Sequence, residues 1–316
     1  SGIVAAVREA MRRNPDNAVL LAVRTAERLG RSGFPASAPR VLRTLLPELN
    51  PKSPDLYRFL AYNLTARFGD IGDVQALLPL LDAPEAAAIV RELGVADTPP
   101  RTDDQASHVV EVLYTIASAA TLSARPDFAA EIYRLLLTRD PNHAMSCNNL
   151  GYHLLEHGGD LIEVERLLNI AYKQRPEASS ILDSMGWLRY RQNRLRDETD
   201  ERGLVVRHGA ISLLKRALEA PDSDGNAIIV DHLGDAFWAA GERAQALEHW
   251  EAARTAARRT VEELRSRKAA DADRDGLDVF SVQLAEFQKV LDSSQSKLDA
   301  VERGENPAIA PRQIVP

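Results

Sequence analysis

A zinc-binding spacing is present between His153 and His157. Two histidines four positions apart on one helix could hold zinc, and Glu156 between them could act as a general base in hydrolysis. The segment, however, lies directly before Gly158-Gly159, and no later acidic helix is recognisable as the source of a third ligand. We therefore predict no metal site here and keep a metal-dependent hydrolase only as a third alternative.

A second segment has the alternating carboxylates of a calcium loop. Asp271, Asp273 and Asp275 precede Gly276, as in the first half of a loop that wraps a hard cation. The twelfth position is Val282, where a bidentate glutamate is expected. We expect a polar loop between two helices, and calcium binding stays open.

Cys147, the one cysteine, could act as a nucleophile paired with His143, which lies one helical turn earlier. An unpaired cysteine is more often simply buried, and a single cysteine excludes an intrachain disulfide and a multi-thiolate zinc site. The chain has no Walker loop, dinucleotide fingerprint or serine nucleophile elbow. The sequence therefore predicts no enzymatic activity and no cofactor.

Composition limits the class of partner. The 316 residues carry 39 Lys and Arg against 46 Asp and Glu, a formal charge of -7, which disfavours a nucleic-acid binder. No apolar run approaches the roughly 20 residues that cross a bilayer. The chain opens with Ser-Gly and shows no signal segment, so we expect a processed or trimmed piece.

The sequence contains an internal repeat of about 34 residues. Pairs of a large and a small residue recur on helical patterns, and their small members lie 34, 35 and 48 positions apart. The pairs are Ile116-Ala117, Leu150-Gly151, Met185-Gly186 and Leu233-Gly234. The longest interval is one repeat of about 34 residues plus an insertion near 196–207, either a solvated loop or a partner-specific element.

The repeat positions resemble the tetratricopeptide repeat (TPR), and the segments 182–187 and 232–238 look particularly like bacterial TPR proteins. The resemblance implies an all-α, right-handed superhelical solenoid of antiparallel helix pairs. We predict a degenerate helical region at 1–100, about four repeats at 101–260, and capping helices with an extended tail at 261–316. The bacterial cytoplasm and the periplasm or envelope both stay open as compartments.

Helical periodicity also predicts individual elements outside the best repeats. The N-terminal region should form helices over 3–13, 17–30, 55–68, 73–81 and 84–93. A long helix should run over about 277–303, ending at Gly304 before the tail.

The resemblance also implies a partner-binding groove, because the first helix of each TPR pair lines the concave surface. The groove positions are Asn148, Tyr152, Asp183, Trp187, Tyr190, Asp231, Asp235 and Trp238. Such an acidic, aromatic channel favours a peptide with Lys or Arg side chains. The alternative is that the aromatics pack between repeats and the acids are solvated.

We therefore predict a non-enzymatic scaffold or adaptor that binds a partner protein or peptide. The basic clamp with which some TPR proteins hold a chaperone's C-terminal carboxylate is missing. The main alternative is a structural segment that self-associates or caps a larger polypeptide.

Overall fold

A computed structural model describes residues 2–32, 45, 103–122, 124–223, 225–270 and 280–312. The helices predicted at 55–68, 73–81 and 84–93, and the loop with Asp271, Asp273 and Asp275, lie outside these residues. The chain divides into two compact units, Ser1–Asp140 and Pro141–Pro316. The division predicted from the sequence, at 100 and 260, stays a prediction. None of the described helices combines the length and apolarity that a bilayer crossing requires.

The first unit contains two described helix pairs. Helices α1 (Gly2–Arg13) and α2 (Ala18–Arg31) are joined by a 3-10 turn at Pro15–Asn17, and α1 buries Val7 and Met11 on one face. Helices α3 (Asp103–Thr121) and α4 (Pro126–Arg139) pack together. Pro126 begins α4 at a position where its missing N–H costs no helical hydrogen bond.

The second unit is an array of three helix pairs. The pairs are α5 (Ala144–Glu156) with α6 (Leu161–Gln174), α7 (Ser179–Arg191) with α8 (Ala210–Glu219), and α9 (Ala227–Ala239) with α10 (Arg243–Ala270). The side chains of Asp160 and Asn226 accept the hydrogen bonds that start α6 and α9. Gly158 and Gly241 take the positive φ of the turns within the first and third pairs.

Small residues set the distance between paired helices. A Cβ added at Gly151, Gly186 or Gly234 would lie 2.8, 2.7 or 2.5 Å from a side chain of the opposite helix. These neighbours are Leu168, Leu214 and Trp250. The glycines of three of the four sequence pairs are therefore points of close helix approach.

The insertion forms a β-hairpin rather than an irregular loop. Strand β1 (Glu198–Thr199) pairs antiparallel with β2 (Val205–Arg207), and Gly203 takes a positive φ in the turn. The hairpin's base is held by Asp197, which accepts hydrogen bonds from the Gly209 backbone and the Ser212 hydroxyl. Hydrophobic periodicity gave no strand signal here because the paired segments are only two and three residues long.

One more helix and an extended segment complete the second unit. Helix α11 (Ser281–Glu302) runs antiparallel to α10, since Arg254, Arg265 and Lys268 bond to Gln295, Gln288 and Ser281 respectively. Residues 303–312 follow, and Ile309 and Ala310 pack against the core formed by α5 to α10. We call residues 303–312 the C-terminal segment.

Candidate functional site

The eight predicted groove residues lie on the first helices of the three pairs. Helix α5 carries Asn148 and Tyr152, α7 carries Asp183, Trp187 and Tyr190, and α9 carries Asp231, Asp235 and Trp238. Six of them are buried, whereas Tyr152 and Trp238 are half-buried. We call the surface formed by these faces of α5, α7 and α9 the inner surface. Helix α11 and the C-terminal segment contact it at Tyr190, Asp231 and Asp235.

Three rings form a continuous stack on the inner surface. Trp187 lies between Tyr190 on its own helix and His232 on α9, with ring centroids 4.6 and 3.9 Å away and nearly parallel planes. The indole N–H of Trp187 donates to Glu156 Oε1 of α5 at 2.8 Å. One tryptophan therefore contacts the first helices of all three pairs, which fixes its rotamer.

His232 was not among the sequence-predicted residues, although it lies between Asp231 and Leu233. Its Nδ1 is 2.8 Å from Asp183 Oδ1 on the neighbouring first helix. Burial lowers the pKa of His232, but the carboxylates of Asp183, Asp231 and Asp235 outweigh burial, so the net pKa lies above its ordinary value. The sequence signal that could have identified His232 is its position on a predicted first helix, between Asp231 and Asp235.

A buried lysine neutralises the acids of α9. Lys297 of α11 places Nζ 2.8 Å from Asp231 Oδ2 and 2.6 Å from Asp235 Oδ1. Burial lowers the pKa of Lys297, yet the two carboxylates raise it above its ordinary value overall. Burial and Asp231 likewise raise the pKa of Asp235 despite Lys297. The short distances from Nζ to both carboxylates identify a charged lysine that is shared by two acids.

Further polar contacts to the same acids come from α11 and from α10. The hydroxyl of Ser294 donates to Asp231 Oδ1 at 2.7 Å, and the indole N–H of Trp250 donates to Asp235 Oδ1 at 2.9 Å. Ser294 and Lys297 follow Leu291 at steps of three residues and so fall in the apolar stripe of α11. Their polar character at inward positions of a helix could have marked Ser294 and Lys297 as unusual, but it does not name their partners.

The C-terminal segment makes three polar contacts with this part of the unit. Tyr190 Oη donates to the Ala310 carbonyl at 2.6 Å, and the Ala310 N–H donates to Asp235 Oδ2 at 3.4 Å. Arg312 Nη1 donates to Asn193 Oδ1 at 2.6 Å. Burial and the Asp235 carboxylate raise the pKa of Tyr190, which keeps its hydroxyl a proton donor.

The remaining predicted residues lie at the two ends of the inner surface. Burial and the carboxylates of Asp183, Glu156 and exposed Glu286 raise the pKa of Tyr152 well above its ordinary value. The buried Asn148 Oδ1 accepts no hydrogen bond from the residues that the structure describes. At the other end, Trp238 packs on Trp250, with the Arg243 guanidinium 5.3 Å from its ring.

The residues of the zinc-like pattern engage one another and the stack. The rings of His153 and His157 stack at 4.3 Å, and Glu156 is the acceptor for Trp187. Cys147 is buried, with Sγ 3.7 Å from the Pro141 carbonyl oxygen. Across the described ranges, no three or more His, Cys, Asp and Glu side chains are grouped so that they could hold a metal ion.

Comparison with known proteins accords with the helix pairs. No family model matches the chain. A TPR repeat-containing protein of Pseudomonas aeruginosa is 42% identical to this chain over 64 residues, and this similarity agrees with the resemblance of the repeat positions to the TPR. The matched residues are 20% of this chain and 11% of the relative, so the match spans about a tenth of the relative's length.

A solved structure was also matched. A chain in the crystal structure of the APC/C hetero-tetramer Cut9–Hcn1 aligns with a TM-score of 0.41 and 12% identity, over 92% of this chain and 56% of the solved chain.

Proposed function

We propose that this chain is a non-catalytic TPR-type scaffold that binds a partner protein or peptide on its inner surface. The observation that carries the proposal is that the chain's own α11 and C-terminal segment lie on this surface through a lysine, a hydroxyl and main-chain groups. A surface with such contacts has the chemistry needed to hold a protein segment.

Charge and hydrogen bonding support a partner with basic residues or free donors. Lys297 supplies one positive charge to Asp231 and Asp235, and Glu156 and Glu286 add carboxylates near Tyr152. The buried Asn148 Oδ1 is an acceptor that a donor from a partner would satisfy. Because the side chains lie on packed helices, they lose little conformational entropy when a partner binds.

The test compares two double variants in affinity capture from the native organism. Tyr152→Ser/Glu286→Lys changes one residue of the inner surface and one α11 carboxylate near it, without removing any residue of the ring stack or of the lysine contact. Tyr172→Ser/Glu177→Lys makes the same exchanges on and beside the second helix α6. We expect the first variant to lose the partner and the second to retain it. Equal capture by both folded variants would rule out the inner surface.

A second candidate function is self-association through the hairpin. Leu204, Val205 and Val206 are consecutive and are 63%, 46% and 64% exposed, an apolar tip that a second copy would cover. Light scattering over a concentration series should then show a mass that rises with concentration, and Leu204→Ser/Val206→Lys should abolish the rise. A wild-type monomer at every concentration would end this candidate.

A further inference from the structure

The C-terminal segment is held mainly by its main chain. Both polar groups of Ala310 are bonded, its carbonyl by the Tyr190 hydroxyl and its N–H by Asp235. Such contacts recognise an extended backbone and demand only that the residue itself be small. Arg312, two positions later, adds one side-chain contact, to Asn193.

The prolines fit the same mode of recognition. Pro307 and Pro311 have no N–H to bond, and they favour an extended chain that loses little entropy on docking. Pro307 is buried, Ile309 and Ala310 pack partly against the core, and residues 303–306, 308, 311 and 312 are exposed. The aromatic wall of the site is Tyr190, backed by the parallel ring of Trp187.

The contact is small compared with that of α11. Helix α11 packs along α10 and buries Lys297 on two acids, whereas residues 306–312 are held by three hydrogen bonds and a few apolar side chains. The segment is favoured over a free peptide because it is tethered, since a short linker gives it an effective concentration at the site on the order of millimolar. The segment is therefore a removable occupant, and α11 is a fixed part of the unit.

We propose that Tyr190, Asn193 and Asp235 form a recognition site for an extended, proline-flanked partner segment that carries arginine two residues after a small apolar residue. Residues 304–312 are its occupant in the free chain, and a partner segment of the same chemistry displaces them. This inference rests on the proposed function and names the partner chemistry for one part of the inner surface.

The experiment uses full-length protein and a peptide added in trans. The peptide copies residues 304–312, has blocked ends and carries a fluorophore, and binding is followed by anisotropy. In the release variant, Ile309→Asp/Arg312→Ala, the tethered segment loses its apolar and its guanidinium contacts while the site is intact. We expect the peptide to bind the release variant about 10-fold or more tightly than the wild type, whose site is occupied.

Matched controls separate the site from non-specific binding. Adding Tyr190→Phe to the release variant keeps the ring stack but removes one hydrogen bond, so peptide binding should weaken roughly 2- to 10-fold. An Arg312→Ala peptide should also bind more weakly, and a scrambled peptide should not compete. Circular dichroism verifies that each variant is folded.

Two results would overturn the inference: no peptide binding to a folded release variant, or equal binding to it and to the wild type. Peptide binding that is unchanged by both Tyr190→Phe and the Arg312→Ala peptide would do the same. Failure of the proposed function looks different, because there the Tyr152→Ser/Glu286→Lys variant still captures the native partner as well as the control variant does, whatever the peptide does.

Discussion

Glycines at the helix contacts differ in what an added methyl group would meet. At Gly234 the methyl would lie 2.5 Å from Cδ1 of the fully buried Trp250, a ring also fixed by its bond to Asp235. At Gly151 the nearest atom is a terminal methyl carbon of Leu168, at 2.8 Å, which can rotate away. The same substitution therefore has different consequences in two repeats.

We expect Gly234→Ala to lower the free energy of unfolding by about 1–3 kcal/mol, the usual range for overpacking. Gly151→Ala should cost less, because a leucine side chain adapts where an anchored indole cannot. Urea denaturation of the two variants and the wild type measures the difference. A smaller loss at Gly234 than at Gly151 would contradict this view of the α9–α10 contact.

The free energy of unfolding should depend on pH through His232. Its ring stacks on Trp187, and the carboxylates of Asp183, Asp231 and Asp235 favour its protonated form. Its folded pKa is raised above 6.5, so between that pH and the folded pKa the native state binds more protons than the unfolded state. The His232 contribution is therefore complete below about pH 6.5 and is lost as the pH rises through the folded pKa.

Asp183→Asn should flatten this decline, because it removes the carboxylate bonded to His232. Chemical denaturation at several pH values between 6 and 9 gives the slope. Ser184→Ala is the neighbouring control: it removes only a local bond to the Ser180 carbonyl and should keep the wild-type slope. A rise in wild-type stability across this pH range would contradict the assignment.

At the scale of elements, Lys297 decides how α11 docks on α9. Its substitution by Met leaves Asp231 and Asp235 buried without a cation, and breaking a buried pair in this way typically costs about 3–5 kcal/mol. We expect Lys297→Met to lower the free energy of unfolding by that order, as measured by urea denaturation.

Lys289→Met is the matched control on the exposed part of the same helix and should change stability by less than about 0.5 kcal/mol. Adding Asp231→Asn and Asp235→Asn to Lys297→Met should recover part of the loss, since the buried acids are then neutral. Equal effects of the two lysine substitutions would contradict a structural role for Lys297.

Most helices of the described ranges could be predicted from the sequence, because their signals are local. Periodicity and end signals gave 3–13, 17–30 and 277–303, against observed bounds of Gly2–Arg13, Ala18–Arg31 and Ser281–Glu302. The pairs with Gly151, Gly186 and Gly234 marked the closest helix contacts. The hairpin was missed because strands of two and three residues have no detectable period.

The occupant of the inner surface could not be predicted in the same way. Lys297 and Ala310 reach α9 across 66 and 75 positions of the chain, and helical periodicity says nothing about such distant contacts. The acidic and aromatic character of the surface was predicted, and a basic ligand was inferred from it. That this chain itself supplies a lysine there was visible only after folding.

At the scale of the whole molecule, net charge is a poor guide and charge placement a better one. The chain carries a formal charge of -7 overall. Asp183, Asp231 and Asp235, however, lie on the first helices of the pairs, and Lys297 forms ion pairs with the last two. Under the proposed function, this surface selects partners by complementary charge and shape. That function requires that partners reach the inner surface.

The affinity of a captured, purified partner for three full-length proteins tests this claim most directly. Calorimetry would compare the wild type with Tyr152→Ser/Glu286→Lys on the inner surface and Tyr172→Ser/Glu177→Lys beside the second helix. We expect the inner-surface variant to bind at least about 10-fold more weakly, as for loss of an interface hot spot, and the other to match the wild type. Wild-type affinity in the inner-surface variant, or an equal loss in both folded variants, would contradict the account.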